Sequence, residues 1–205
     1  MIDVRKEGGL WVVTLNRPEK ANSLTADMLA TLVDTVRAAH GVAQVLVLTG
    51  AGKVFSAGAD LDAAKAGLAV SPLWEDLSSA LADLPCLTIA ALNGTLAGGA
   101  FGMALACDLR LGVPEAKFFY PVMKLGYLPQ PSDPKRLVAL VGPARAKMIL
   151  MAGQKIDAEE ALSWGLVDRL VDRDGLLSAV SELSQAALSA TPEHVAGIKG
   201  LVRGG

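Results

Sequence analysis

The chemistry this sequence offers is concentrated in two short glycine-bearing segments. The first is Phe55-Ser56-Ala57-Gly58-Ala59-Asp60-Leu61, which follows the apolar run Gln44–Thr49. The second is Gly98-Gly99, which opens an apolar stretch ending at Cys107. Both present backbone N–H groups, and glycine removes the Cβ that would hold a ligand away. The first amides of a helix lack intrahelical acceptors and sit at the positive end of its macrodipole, so an acceptor is expected at the turn near Gly98. Two such turns meeting over one cavity would form an oxyanion hole, stabilising charge that develops on a carbonyl oxygen. A second reading stays open on spacing alone: Gly98, Gly99 and Gly102 simply let a helix pack closely on a sheet.

Other chemistries fail on their own patterns. Gly50-Ala51-Gly52-Lys53 suggests a phosphate loop, but Val47 and Val54 stand where that motif needs Gly and Ser or Thr. The run Ala97–Gly102 comes within one residue of a dinucleotide fingerprint, yet it begins several residues after its strand, and Glu115 is too near to bind a ribose. No Ser lies in a nucleophile-elbow motif, and with His40 and His194 the only histidines, a Ser/His/Asp triad has few ways to form. Cys86 and Cys107 have no Cys or His at metal-ligand spacing and read as buried, reduced thiols, so no metal is expected.

The elements that must position the two segments follow from composition and pattern. Of 205 residues, 52% are hydrophobic but only 4% aromatic, so Ala, Val and Leu supply the core. The charged fraction of 20% and net charge of −2, with no long run of like charges, argue for one folded domain and against a nucleic-acid partner. Residues 1–9 carry charges instead of an apolar signal region, so a cytoplasmic location is the expectation. Residues 84–107 form 24 residues without a charge, long enough to span a bilayer. Pro85, Asn93, Gly94, Gly98, Gly99 and Gly102 interrupt them, so they read as a buried strand, a turn and a buried helix, and no membrane partner is expected.

Strands are expected at Leu10–Leu15, Gln44–Thr49, Cys86–Leu92 and Asp108–Val113, each a short apolar run bounded by turn residues. Helices are expected at Thr25–Ala39, Leu73–Leu84, Gly98–Cys107, Pro143–Met151, Asp157–Trp164 and Gly175–Leu188, with a short apolar piece at Leu166–Val171. Strand–helix–strand alternation with wholly apolar strands is the signature of an α/β protein whose parallel sheet is covered on both faces. The Pro- and aromatic-rich run from Phe118 to Pro134 reads as irregular structure beside a site, and no internal repeat is visible.

Four ordered motifs carry a resemblance: NRPEKANSL (16–24), VLTGAGKVFSAGADL (47–61), AALNGTLAGGAFGMALACDLRL (90–111) and LGYLP (125–129). Together they resemble the crotonase superfamily, the enoyl-CoA hydratase/isomerase family, from about residue 2 to residue 200. The resemblance implies a crotonase-like spiral of ββα turns with C-terminal helices, here a core over 1–190 and a shortened helical segment over 191–205. It further implies an acyl-CoA thioester ligand with no separate cofactor, and a homotrimer or hexamer. Carried over by position, the two oxyanion amides belong to Ala59 and Gly99. The CoA side of the pocket falls to Lys20, Ala21, Ala57, Asp60 and Leu61, with Gly58 and Gly98 shaping the two turns. Asp60 reads equally as the N-cap of a helix at 61–66, and Lys20 equally as a solvated charge.

The departures from the family pattern concern the acid and base. Family hydratases carry one Glu three residues past the oxyanion glycine, where this chain has Gly102, and a second Glu where it has Val122. Hydration needs one group to activate water and one to protonate the α-carbon, and neither Gly nor Val moves a proton. Superfamily members relocate such groups around the same oxyanion hole, which makes Tyr120, Tyr127 and Asp133 the candidates. The tyrosines also read as core aromatics, and Asp133, between Ser132 and Pro134, as turn chemistry.

Overall fold

A computed structural model describes residues 1–203, and Gly204 and Gly205 at the end of the expected C-terminal segment lie outside the described residues. The chain opens with the antiparallel pair β1 (Ile2–Glu7) and β2 (Leu10–Leu15), followed by α1 (Ala26–Ala39). Thr25 caps α1 by accepting the Met28 N–H, and Met28, Leu29, Leu32, Val33 and Val36 form its single buried face. Three strand pairs come next: β3 (Val45–Gly50) with β4 (Val54–Ser56), β5 (Leu87–Leu92) with β6 (Thr95–Ala97), and β7 (Leu109–Gly112) with β8 (Lys117–Phe119). Helices α2 (Leu61–Lys65) and α3 (Leu73–Asp83) follow the first pair, α4 (Phe101–Ala106) the second, and α5 (Val122–Leu125) and α6 (Asp133–Leu150) the third. The chain ends with β9 (Ile156–Asp157), α7 (Ala158–Trp164), β10 (Arg169–Leu170), α8 (Leu176–Ser189) and α9 (Pro192–Arg203).

In each pair the first strand joins a six-stranded sheet, ordered β1-β2-β3-β5-β7-β10, and the second a four-stranded sheet, ordered β4-β6-β8-β9. This is a ββα turn repeated three times, although no repeat shows in the sequence, because the shared feature is backbone path and apolar burial. From β2 to β10 the large sheet is parallel, and Val45 to Leu48 and Ile89 to Leu92 are buried on both faces, as their unbroken apolar runs require. The fold is α/β, as the alternation of elements indicates.

The structure corrects several expected boundaries. Helix α6 begins at Asp133, ten residues before the expected Pro143, and bends at Gly142, where φ is +80° and Pro143 interrupts the ladder. Within the segment read as irregular, only Val122–Leu125 and the first two residues of α6 are helical, and 126–132 has no regular structure. The turn expected between Leu92 and Gly98 contains the short strand β6, and only Arg169–Leu170 of the apolar piece 166–171 pairs as a strand. Strand β1 escapes an apolar-run criterion because its side chains are almost all exposed. The 24-residue uncharged stretch is β5, β6, a glycine turn and α4, and among the described residues no helix is long and apolar enough to cross a membrane.

Helix α9 is tied to the sheet by Lys199, whose Nζ lies 2.6 Å from both Asp108 Oδ2 and the Cys86 carbonyl oxygen. Burial pushes the Cys86 thiol up to about 11 and the Cys107 thiol to about 12, so both stay protonated and inert at neutral pH.

Candidate active site

The first glycine turn is held against residues 21–24 by three backbone bonds and one side chain. Ala57 N–H donates to the Ala21 carbonyl at 3.0 Å, Leu24 N–H to Gly58 at 2.8 Å, and Asp60 N–H to Leu24 at 2.9 Å. Gly58 N–H donates to the Ser56 hydroxyl, which itself donates to the Asn22 carbonyl. Residues on either side of Ala59 are thus engaged. Among the described residues the Ala59 N–H has no acceptor, and Ala59 is one of the residues lining a cavity.

The second turn, Gly98 to Ala100, is a single 3₁₀ turn running straight into α4. The amide of Gly99 lies in its first turn, where no intrahelical acceptor exists. Gly58 has φ +90°, and a Cβ there would sit 2.9 Å from the Ala97 carbonyl oxygen; one on Gly98 would sit 3.6 Å from Gly58 Cα. The two turns therefore abut backbone to backbone, and Ala59 and Gly99 open on the same cavity. Glycine at 58 and 98 permits this close packing of turn on turn.

That cavity measures about 230 Å³. Ala57, Gly98 and Tyr120 line it beside Ala59 and Gly99, and Ala64, Ala69, Trp74 and Val122 make an apolar wall. Trp74 packs its indole where a Cβ on Gly99 would come within 3.2 Å, and anchors itself by donating Nε1–H to the Leu68 carbonyl at 2.8 Å. Leu61, Leu125, Tyr127 and Leu128 rim the mouth; Tyr127 is 38% exposed and Leu128 86%. A larger groove of about 570 Å³, with mostly apolar walls, runs between α8 and α9.

The residues expected on the CoA side divide. Ala57 and Leu61 line the cavity, whereas Lys20 is exposed and outside it. Ala21 takes a left-handed conformation, φ +51°, as does Asn22 at +52°. The buried Asn22 amide holds this bend by donating to the carbonyls of Ala51 and Val54. Asp60 caps α2, accepting the N–H groups of Asp62 and Ala63, and pairs with Arg17 at 2.8 Å. The Arg17 hydrogen bond, aided by those amides, holds its carboxyl below the usual range. Of the two readings of Asp60, capping is the one its bonds display.

Gly102 and Val122 are both buried, and no carboxylate stands at either position. Asp133 lies directly over Gly102: the residue is 1% exposed, and its Oδ1 falls 2.8 Å from where a Cβ on Gly102 would be. The Tyr120 hydroxyl donates to Asp133 Oδ2 at 2.8 Å, and the Tyr120 ring stacks on Phe101 with centroids 5.4 Å apart. Turn chemistry is therefore not what Asp133 does, since it opens α6 and its carboxyl bonds Tyr120. Burial pushes the Asp133 carboxyl up to about 7, against the opposing pull of the Tyr120 bond and of Arg136, and pushes the Tyr120 hydroxyl well above its ordinary value. The structure thus brings Tyr120 and Asp133 together and leaves Tyr127 apart at the mouth.

Sequence reasoning missed Trp74, which had read only as part of an amphipathic helix. It also missed the ties that hold the mouth loop: Gln130 Nε2 donates to the Ala69 carbonyl at 3.3 Å, and the Ser132 N–H and hydroxyl both donate to Glu75. Those pairs lie 57 or more positions apart, so no local signal announces them.

A family model described as enoyl-CoA hydratase/isomerase matches residues 5–204. The chain is 36% identical over 205 residues to a carnitinyl-CoA dehydratase of Citrobacter koseri, covering 97% of this chain and 78% of that protein. It is 33% identical over 190 residues to a 1,2-epoxyphenylacetyl-CoA isomerase of Escherichia coli, covering 87% and 72%. A solved enoyl-CoA hydratase/isomerase from Pseudoalteromonas atlantica superimposes with a TM-score of 0.90 at 30% identity, covering 99% of this chain and 82% of that one. With the ββα spiral and the paired glycine turns already in view, these matches establish that the chain belongs to the enoyl-CoA hydratase/isomerase family.

Proposed function

We propose that this protein binds an acyl-CoA thioester and stabilises its enolate between the backbone amides of Ala59 and Gly99, in chemistry of the isomerase or decarboxylase type. The observation that supports the reading is the apposition of the two glycine turns, with Ala59 and Gly99 both in the lining of one largely apolar cavity. Donors fixed in a dry site stabilise developing oxyanion charge strongly, because they need not reorganise as the charge forms. A pocket with neither Glu at 102 nor Glu at 122 does not favour hydration, which calls for two proton-moving groups flanking the double bond. Isomerisation needs only one, since the proton removed at one carbon is returned at another. Decarboxylation needs only a donor to the carbanion left behind.

Purified protein titrated calorimetrically with acyl-CoAs, then screened for turnover of enoyl-, malonyl- and hydroxyacyl-CoAs, tests the reading. Binding with isomerisation or decarboxylation, and little crotonyl-CoA hydration, is the expected outcome. Failure to bind any CoA ester overturns it. The empty positions 102 and 122 also favour a second reading, a non-catalytic acyl-CoA binder, which predicts tight binding with no turnover across the whole panel.

A further inference from the structure

We infer that Tyr120 and Asp133 form a proton relay to the bound thioester, with the Tyr120 hydroxyl as the group that meets substrate and Asp133 as the positioning residue that takes up and returns the proton behind it. The inference rests on the acyl-CoA reading above and deepens it. Tyr120 lines the cavity and donates to Asp133 Oδ2 at 2.8 Å, while Asp133 has no exposure of its own to the cavity. A carboxyl group so deeply buried calls for a reason, because desolvation penalises its charged form.

Gly102 supplies the room. Any side chain at 102 would begin 2.8 Å from Asp133 Oδ1, so glycine there and the carboxyl of Asp133 go together. Asp133 does not serve α6 as a cap, for the cap residue is Ser132 and no side chain bonds the first-turn amides. Its Oδ1 has no hydrogen-bond partner among the described residues. A carboxyl with one oxygen on a tyrosine and the other unpartnered is placed to exchange a proton through that tyrosine, not to brace the fold.

The step balances without a further reactant. The Cα–H bond of the thioester breaks and its electron pair enters the enolate, whose oxygen faces the Ala59 and Gly99 amides. The proton passes to the Tyr120 oxygen as the Tyr120 proton moves to Asp133, leaving neutral tyrosine and neutral Asp133. Reversal returns a proton to the same carbon or to another along the acyl chain. The charged groups around Asp133 are Arg136 on α6, which favours its ionised form, and Glu75 on α3, which opposes it; α4 contributes no ionisable side chain.

Exchange of the α-protons of butyryl-CoA in D₂O, followed by NMR with calorimetric binding in parallel, tests the relay in the wild type, Tyr120→Phe and Asp133→Asn. Both substitutions keep side-chain shape. The expected result is binding within about threefold of wild type and exchange slowed about 10²-fold or more in each variant, the lower end of what a positioned acid or base contributes. Wild-type exchange should rise with pH through the Asp133 titration, and Asp133→Asn should abolish that rise, which a merely structural role would leave in place. Wild-type exchange rates in either variant, or wild-type binding without exchange, overturn the relay while leaving the binding site standing. No binding of butyryl-CoA by the wild type removes the acyl-CoA reading and the relay with it. Should Asp133→Asn fail to fold, Tyr120→Phe decides alone.

Discussion

Gly58 and Ala97 bring two turns into backbone contact: a Cβ on Gly58 would stand 2.9 Å from the Ala97 carbonyl oxygen, with φ at +90°. No other residue satisfies both conditions. The pair is 39 positions apart, yet its contact sets the spacing of the Ala59 and Gly99 amides, each one residue beyond a glycine of the junction.

Gly58→Ala is expected to separate the turns. The left-handed backbone strain alone costs on the order of 1–3 kcal/mol, and the collision adds to it. Thermal unfolding should fall by several degrees, and acyl-CoA affinity should fall with it. Unchanged melting together with unchanged affinity would show that the turn does not depend on glycine.

Gly102→Glu with Val122→Glu restores the side chains of a hydratase, but the Glu at 102 would begin 2.8 Å from Asp133 Oδ1 and set two buried carboxyls together. The double variant is therefore expected to be destabilised and to gain no crotonyl-CoA hydration. Adding Asp133→Gly should relieve both faults. Hydration by the double variant alone would mean that the Asp133 side chain moves aside freely.

Stability should carry the mark of Asp133 between about pH 4 and pH 7. Its folded value, about 7, lies above the ordinary carboxyl value, so the folded state binds the extra proton across that window and loses stability as the pH rises through it. The slope should amount to a few kcal/mol at most, by the conversion of about 1.4 kcal/mol per pKa unit. Urea midpoints measured at intervals of pH on wild type and Asp133→Asn check this: the difference between the two curves should slope over pH 4–7 and flatten above it.

Trp74→Ala should deepen the cavity where the indole now meets Gly99. Truncating a buried Trp costs about 3–5 kcal/mol, and the Leu68 carbonyl loses its donor. The variant is expected to bind bulkier acyl-CoAs relatively better than the wild type does. An unchanged order of affinities along an acyl-length series would show that the acyl group lies elsewhere.

The sequence by itself determined the alternation of elements, because apolar runs and one-sided helical faces are local patterns that burial enforces wherever the chain goes. The one-sided helix α1, the unbroken strands β3 and β5, and the two glycine turns were all legible in that way. So was the loss of Glu at 102 and 122, since a motif records what occupies a position even when it says nothing of what lies across from it. What only the tertiary structure decided is which distant groups fill the space those losses leave. Asp133 reads as a turn residue in its own neighbourhood, and becomes a buried carboxyl because α6 starts early and lays it over a glycine on α4. Trp74 reads as one more apolar position on α3 until packing sets it against Gly99. Periodicity reports on the next turn of the same helix, whereas a site is made by chain segments that meet only when the whole core has closed.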